Sequence, residues 1–260
     1  RKFNRRHRVN AMVGLTYDVR DVENSIYAVE DFLTMQFTTN QPAYGNVVTR
    51  PLTYVKADQQ IFSMLGRVNY TFDNKYILTA TVRRDGVSKF ANNNQYGVFP
   101  SVAFAWNAGN ERFIQNLDIF ESLKFRAGWG QIGNHGIGPY GSLSNYGVSN
   151  LYGNADGGTN VPIALQNLSN PDLTWETTEQ SNFGVDFTTL NGVVSGNIDV
   201  YDKMTKDLLQ NSEIPPSSGF TRILVNKGNI TNKGVELALN FTPISTEDVE
   251  LSFGGNISFN

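Results

Sequence analysis

The sequence contains no cysteine, so disulfides, thiolate metal sites and cysteine nucleophiles are all excluded. Histidine is almost as scarce: His7 and His135 are the only two, and they lie too far apart to have metal-ligand spacing. Charged residues make up only 17% of the chain, and the formal net charge is −3. This balance argues against a nucleic-acid partner, because phosphate binding needs clustered positive charge. We expect no metal, no cofactor and no nucleic acid.

Long apolar runs are also missing from the sequence. A helix that crosses a bilayer needs about 20 consecutive apolar residues, and no window approaches that length. Aromatic residues nevertheless reach 12%, and glycine, asparagine, threonine and serine are abundant. A membrane protein built from strands remains compatible with this composition, because such strands alternate apolar and polar residues.

Nine segments of the chain alternate apolar and polar residues with a period of two. The last is the clearest, since Leu251, Phe253 and Ile257 alternate with Ser252 and Asn256. This pattern predicts strands with one apolar and one polar face. The nine runs cover approximately residues 8–17, 62–72, 76–85, 98–107, 123–129, 175–187, 194–203, 235–241 and 249–259.

Short and long connections follow one another between these runs. The short ones are residues 73–75, 108–121, 190–192 and 243–248, and the predicted long loops are 18–58, 86–95, 134–174 and 211–232. Soluble sandwiches alternate too, but two structureless loops of about 40 residues would be uncommon in a compact soluble domain. Transmembrane barrels have short turns on one side and long extracellular loops on the other.

Aromatic residues near the ends of the runs predict an interfacial girdle, in which rings lie at the level of the lipid headgroups. The predicted members are Tyr17, Tyr70, Phe72, Tyr76, Trp106, Trp129 and Trp175. The general preference of aromatic residues for strands is the alternative explanation.

These patterns together predict an all-β fold, an antiparallel up-and-down transmembrane β-barrel segment. Nine strands is an odd number, and an open wall would leave unpaired backbone groups in lipid. We therefore expect residues 1–260 to be a partial barrel domain, cut from a larger protein at both ends.

Several stretches carry a more specific signal. They are Leu65–Tyr70 with Asp73–Gly86, Gly97–Ala103, Leu123–Gly130, Asn170–Thr178, Tyr201–Leu209, and Pro215–Phe220 with Asn232–Leu237. In this order they resemble the SusC/RagA family of TonB-dependent (TonB-linked) outer-membrane transporters of Bacteroidetes. The resemblance covers roughly residues 60–240.

The resemblance implies the later part of a 22-stranded barrel in the bacterial outer membrane, whose plug and N-terminal domains lie outside this chain. It also implies import of glycans or oligopeptides, a SusD-like surface lipoprotein as a lid, and energy from TonB–ExbB–ExbD through the missing plug. No catalytic residue is then expected. A non-transport surface barrel or adhesin, and a soluble glycan-binding β protein, are the alternatives.

The loop over residues 134–174 is the predicted place for substrate contacts. Tyr140, Tyr146 and Tyr152 lie in it among glycine, asparagine and serine, and their flat rings suit carbohydrate or peptide ligands. His135 and Asp156 are further candidates in the same loop. Packing of the tyrosines against neighbouring loops is the alternative for each of them.

One apparent motif is rejected at this stage. Residues 128–133 spell G-x-G-x-x-G after a predicted strand, as in dinucleotide-binding proteins. That motif needs a helix to begin there, so that the helix N-terminus holds the pyrophosphate. The sequence that follows, Asn134 to Pro139, is a poor helix start, so a strand end is predicted instead.

Overall fold

The computed structural model describes residues 2–3, 6–32, 45–148, 152–153, 159–160, 163–246 and 248–260. Almost all regular structure in these residues is β-strand. The strands are β1 Lys2–Phe3, β2 His7–Phe32, β3 Gly45–Phe72, β4 Tyr76–Val87, β5 Tyr96–Asn107, β6 Phe120–Asn134, β7 Tyr146–Val148, β8 Tyr152–Gly153, β9 Thr159–Asn160, β10 Ile163–Leu165, β11 Glu176–Thr189, β12 Val194–Lys206, β13 Leu209–Glu213, β14 Arg222–Asn226, β15 Ile230–Ser245 and β16 Glu250–Phe259.

One antiparallel sheet dominates the structure. Its ten strands follow the order β1-β2-β3-β4-β5-β6-β11-β12-β15-β16, and three separate two-stranded ribbons pair β7 with β10, β8 with β9 and β13 with β14. Apart from the two-residue β1, the large sheet contains nine strands, one for each predicted run. Within the described residues the sheet does not close on itself. None of the helices in this part of the chain has the length and apolar character needed to span a bilayer.

The two ends of the sheet differ. One end, called the turn end, carries the tight turns and one longer link, residues 108–119, with a 3-10 helix Ala108–Asn110 and the short helix α1, Arg112–Gln115. Asp73 and Asn74 in one turn and Leu190 and Asn191 in another have positive φ, as tight hairpins require. The other end, called the loop end, carries residues 88–95, 135–175 and 207–229.

The register of the sheet builds two chemically different faces. Directly paired residues of antiparallel strands share a face. One row of such pairs crosses all nine strands, with one residue from each: Val9, Tyr70, Leu78, Phe104, Ala127, Phe183, Val200, Val235 and Phe259. Moving one residue along each of the first eight strands gives a row on the opposite face: Asn10, Asn69, Thr79, Ala103, Gly128, Asn182, Tyr201 and Gly234. The predicted apolar and polar faces are therefore confirmed.

The prediction of a loop over residues 18–58 was wrong for most of that range. Strand β2 continues to Phe32 and β3 begins at Gly45, and the two pair residue by residue over nearly all of this length. Backbone hydrogen bonds hold this extension and need no apolar face, so a polar sequence such as Asp18 to Asn24 still forms strand. Likewise, the predicted loop 211–232 contains β14 and part of β13, which pair as a ribbon, and the start of β15.

A small buried core lies at the loop end. Among the described residues it consists of Val87, Phe90, Phe99, Ile137, Leu173 and Trp175. Trp175 was predicted in the interfacial girdle, and that prediction was wrong. Only 5% of its surface is exposed, because the rings of Phe90 and Phe99 pack on it at 5.6 and 5.4 Å between centroids.

Three of the predicted girdle residues, Phe72, Tyr76 and Trp106, lie in a row of aromatic rings at the turn end, together with Phe125, which was not predicted. Stacked or tilted ring pairs connect Phe72 to Tyr76, Tyr76 to Trp106 and Trp106 to Phe125, with centroid distances of 6.3, 6.4 and 5.5 Å. His7 extends this row at 4.9 Å from Phe72. The row belongs to the apolar face, since Tyr76 pairs directly with Trp106, and Trp106 with Phe125.

Candidate binding cleft at the loop end

Two loops pack together at the loop end, residues 88–95 after β4 and residues 135–175 after β6. The buried core fixes them, because Phe90 comes from the first loop while Leu173 and Trp175 come from the second. Strand β5 supplies Phe99, whose ring lies over Gly97 and Gly133. A Cβ atom at either glycine would collide with that ring. The glycines therefore admit the aromatic side chain that joins the loops to the sheet.

Hydrogen bonds tie the two loops to each other. The hydroxyl of Ser142 donates to the carbonyl of Lys89 at 2.9 Å, and both groups are buried. The side-chain amide of Asn94 donates to the carbonyl of Pro171 at 3.2 Å. The indole N–H of Trp175 donates to the carbonyl of Gln95 at 3.3 Å. Such cross-links between side chains and backbone satisfy the polar groups of irregular segments and hold them in one arrangement.

The ribbon of β13 and β14 joins the same assembly. Asn226 exchanges two hydrogen bonds with the backbone of Thr174, both at 2.9 Å. Asn170 donates from its side-chain amide to the carbonyl of Leu224 at 2.8 Å. The described parts of three connections that are distant in sequence thus form one body, called the cap below: residues 88–95, 135–148 with 163–175, and 207–229.

A cleft of about 940 Å³ opens in the cap between residues 88–95 and residues 135–175. That volume is typical of small-ligand sites. The residues that line it are Ser88, Phe90, Ala91, Asn92, Asn93, Asn94, Gln95, Tyr140, Leu143, Pro171 and Asp172. Four side-chain amides, one hydroxyl, one phenol and one carboxylate thus border it, and none of its described lining residues is a lysine, arginine or histidine.

Tyr140 has the most distinctive geometry in this lining. Its side chain is 43% exposed, and its φ of 51° lies in the left-handed region that a non-glycine residue seldom adopts. Its carbonyl accepts a hydrogen bond from the backbone N–H of Leu143 at 2.9 Å, which closes the turn. Residues held in such a conformation cluster at ligand sites, because the surrounding structure must support the strain.

His135 lies behind the cleft rather than in it. Its ring meets Trp175 edge-on, with centroids 5.4 Å apart, and its buried Nδ1 has no hydrogen-bond partner within the described structure. Burial lowers the pKa of His135, and the positive charge of Lys89 lowers it further. Lys89 is itself buried, with Nζ at 3.5 Å from the carbonyl of His135, and burial followed by the charge of Arg20 lowers its pKa.

The five predicted contact residues separate in the structure. Tyr140 lines the cleft, and His135 packs behind it. Tyr146 lies in β7, opposite Leu165, and is 71% exposed outside the cleft. The side chain of Tyr152 and all of Asp156 lie outside the described residues. The sequence analysis did not single out Asp172 or the amides at 92–95; the run Asn-Asn-Asn-Gln in a short loop is the signal that could have found the amides.

The polar face of the sheet carries a second cluster. The guanidinium of Arg126 donates to both carboxylate oxygens of Asp186, at 2.8 and 2.7 Å, and to Asp199 at 3.1 Å. Gly184 lies beneath this cluster, and a Cβ atom there would collide with Asp199 and Arg126. The cluster joins β6, β11 and β12 on the polar face, where one guanidinium is shared by two carboxylates.

Two possible site motifs on β6 and β11 form ordinary strand structure instead. Residues 128–133 continue as β6 up to Asn134, so no helix begins there to bind a pyrophosphate. Glu176 and Glu179 have different partners: Glu176 accepts from Asn134 and from the backbone of Leu209, whereas Glu179 accepts from Trp129 and Lys206. They do not form a carboxylate pair.

Comparison with known proteins decides the family. Residues 2–260 match the family described as TonB dependent receptor-like, beta-barrel. The chain belongs to this TonB-dependent receptor family. The wall described above is therefore a segment of a TonB-dependent receptor barrel, and its nine strands are transmembrane strands.

Individual relatives agree. TonB-dependent receptor P3 of Formosa agariphila is 32% identical over 98% of this chain and 25% of that protein. TonB-dependent receptor SusC of Bacteroides thetaiotaomicron is 37% identical over 77% of this chain and 20% of that protein. The structure of the RagAB peptide transporter superimposes with a TM-score of 0.85 at 26% identity, over 98% of this chain and 28% of that one. The resemblance to the SusC/RagA family is confirmed, and the chain spans about a quarter of its relatives' length.

Proposed function

We propose that this chain forms wall, polar lining and external loops of an outer-membrane, TonB-dependent importer of glycans or oligopeptides. The observation that carries the proposal is the apolar row across nine strands. Its members include Phe104, Phe183 and Val200, and these are 43, 50 and 46% exposed. A soluble protein rarely exposes a continuous apolar surface of this extent. In a bilayer the same face contacts acyl chains, while the polar face lines the barrel interior.

The orientation follows from the connections. Outer-membrane barrels place short turns in the periplasm and long loops outside the cell. The turn end, with its aromatic row, then lies at the periplasmic interface, and the cap lies outside. The cleft beside Tyr140 faces incoming substrate in this orientation.

The proposed partners act at opposite ends. A SusD-like surface lipoprotein covers the loop end, and TonB–ExbB–ExbD acts from the periplasmic side through the plug region. The similarity to SusC and to the RagAB peptide transporter supports both assignments. No bond is made or broken in this function, so no residue of the chain acts as a catalyst.

The cleft gives the cap a role in ligand capture. Side-chain amides and the carboxylate of Asp172 offer donors and acceptors for hydroxyl or peptide groups, and the exposed ring of Tyr140 offers a flat apolar surface. Since Asp172 is the one charged side chain among the described lining residues, a neutral or cationic ligand is favoured over an anionic one.

The whole-protein function is tested by deletion of the gene and growth on single glycans and single peptides. We expect the deletion strain to lose growth on one substrate class. The full-length gene should restore that growth only in a strain with functional TonB. Unchanged growth on every substrate that the parent strain imports through TonB-dependent receptors would contradict the importer.

Two tyrosines in the cap provide a matched test of the cleft. Tyr140→Ala in the full-length receptor should weaken substrate uptake about tenfold, the loss of roughly 1.4 kcal/mol of binding. Tyr146→Ala, also in the cap but outside the cleft, should leave uptake unchanged. Uptake is measured at equal receptor abundance in the outer membrane. Equal effects of the two substitutions would remove the cleft from the proposal while leaving the importer intact.

A further inference from the structure

The link between β5 and β6 at the turn end, residues 108–119, exposes three large apolar side chains. Phe113, Leu117 and Ile119 are 58, 55 and 50% exposed. Polar residues alternate with them in the link, including Arg112, Asn116 and Asp118. Since the core of the described structure lies at the opposite end of the sheet, nothing in that core covers these side chains.

The link is held in place and does not fold back to bury them. Its backbone forms consecutive turns, in which the N–H groups of Gln115, Asn116 and Leu117 donate to carbonyls three or four residues earlier. The side-chain amide of Asn110 donates to the carbonyl of Asn74 at 3.1 Å and fixes the start of the link. The hydroxyl of Thr189 donates to the carbonyl of Ile119 and fixes its end.

Close packing on the sheet fixes it further. A Cβ atom at Gly109 would lie 2.9 Å from the backbone nitrogen of Leu123, so the link approaches β6 as closely as glycine permits.

The link also lies beside the aromatic row of the apolar face. The carboxylate of Glu111 accepts a hydrogen bond from the Tyr76 hydroxyl at 2.8 Å, and it pairs with the ammonium of Lys75 at 2.7 Å. Tyr76 stacks on Trp106, with an angle of 3° between the ring planes. The exposed apolar residues of the link thus begin two residues after a direct contact with the girdle.

We infer that this link is an interfacial anchor, whose Phe113, Leu117 and Ile119 side chains insert into the lipid leaflet at the turn end. The partner is lipid at the boundary between headgroups and acyl chains. Continuity with the aromatic row of the transmembrane wall identifies this partner, because the girdle marks the level at which the apolar face meets headgroups. Short amphipathic segments at that depth bury apolar residues and keep polar ones in water.

Fluorescence quenching by lipid tests the anchor. Any cysteine outside this chain is first replaced in the full-length receptor. One cysteine at a time is then introduced, by Phe113→Cys, Leu117→Cys or Asn116→Cys. Each is labelled with the environment-sensitive dye NBD. The receptor is then reconstituted into phosphatidylcholine vesicles made with or without dibromostearoyl phosphatidylcholine. Two further variants are labelled in the same way as references. Val102→Cys on the apolar face is the lipid-exposed reference, and Asn92→Cys in the cap is the water-exposed one.

We expect strong quenching at positions 113 and 117. It should be at least half of the quenching at position 102 and well above the quenching at positions 116 and 92. Equal quenching at positions 113, 116 and 117, or none at 113 and 117, overturns the anchor. The inference rests on the wall lying in the bilayer. Failure of that premise is distinguishable, since it would abolish quenching at position 102 as well.

Discussion

At the scale of single residues, the surroundings of His135 in the cap disfavour the protonated form of its imidazole. Its imidazole packs edge-on against Trp175 and shares a buried corner with Lys89, whose charge comes from another loop. Asp85 in β4 acts on His135 in the opposite direction, with a smaller effect. Burial and the neighbouring cation both favour the neutral ring, so the pKa of His135 in the folded cap lies below its ordinary value.

This shift predicts that the cap loosens in mild acid. The unfolded chain takes up a proton on His135 near pH 6.5, whereas the folded cap resists it to lower pH. Stability is therefore lost as pH falls through about 6.5 and continues to fall until the folded pKa is reached. Amide hydrogen exchange in residues 136–145, corrected for intrinsic rates, should be faster at pH 5.5 than at pH 7.5.

His135→Phe is the control for this prediction. It keeps a ring against Trp175 and removes the titrating group, so the pH dependence of exchange should become smaller in the variant. Identical pH profiles for the wild type and His135→Phe would show that His135 does not control the pH dependence of the cap.

At the scale of strands, the register decides what each position tolerates. Val200 lies at the middle of β12 on the apolar face, between Phe183 and Val235. Val200→Arg should destabilise the barrel by about 2–4 kcal/mol, because a charge at the bilayer midplane loses its hydration. Ala238→Arg lies on the polar face, three residues nearer the turn end and close to Glu236 and Asp199, and should cost less than half as much. Urea unfolding of the receptor from lipid vesicles measures both; equal costs would contradict the assignment of faces.

The strands also show which local features sequence can predict. All nine appear in the sequence because a wall between lipid and a polar interior imposes the two-residue period on every strand. The loop-end extensions of β2 and β3 cannot be recognised in the sequence. Beyond the apolar belt no face needs to be apolar, so residues 18–32 and 45–58 pair through backbone bonds that leave no mark in composition.

At the scale of the whole molecule, the cap could not be predicted from sequence. Its cleft depends on which loops meet, and Asn94 and Pro171 lie 77 positions apart. Tyr140 was found because aromatic residues stand out in a polar loop, whereas Asp172 and the amides at 92–95 look like ordinary surface residues. The prediction that Trp175 belongs to the girdle was wrong because it rested on the local sequence alone. A tryptophan beside a strand end suits a girdle, and only the packing of Phe90 and Phe99 shows that it belongs to a core.

The packing of the cap predicts that its loops move together when substrate passes. Phe90 and Trp175 join residues 88–95 to residues 135–175, and Asn94 contacts Pro171 across the join. Once formed by oxidation, a disulfide between Asn94→Cys and Pro171→Cys should leave the uptake rate within about twofold of the wild type, since it links parts that already form one body. This chain has no cysteine of its own to interfere. Each single cysteine variant, and the double variant under reductant, are the controls. Uptake that stops when the disulfide forms and recovers under reductant would show that the cleft must open between these loops, and that the cap works as two moving parts rather than one.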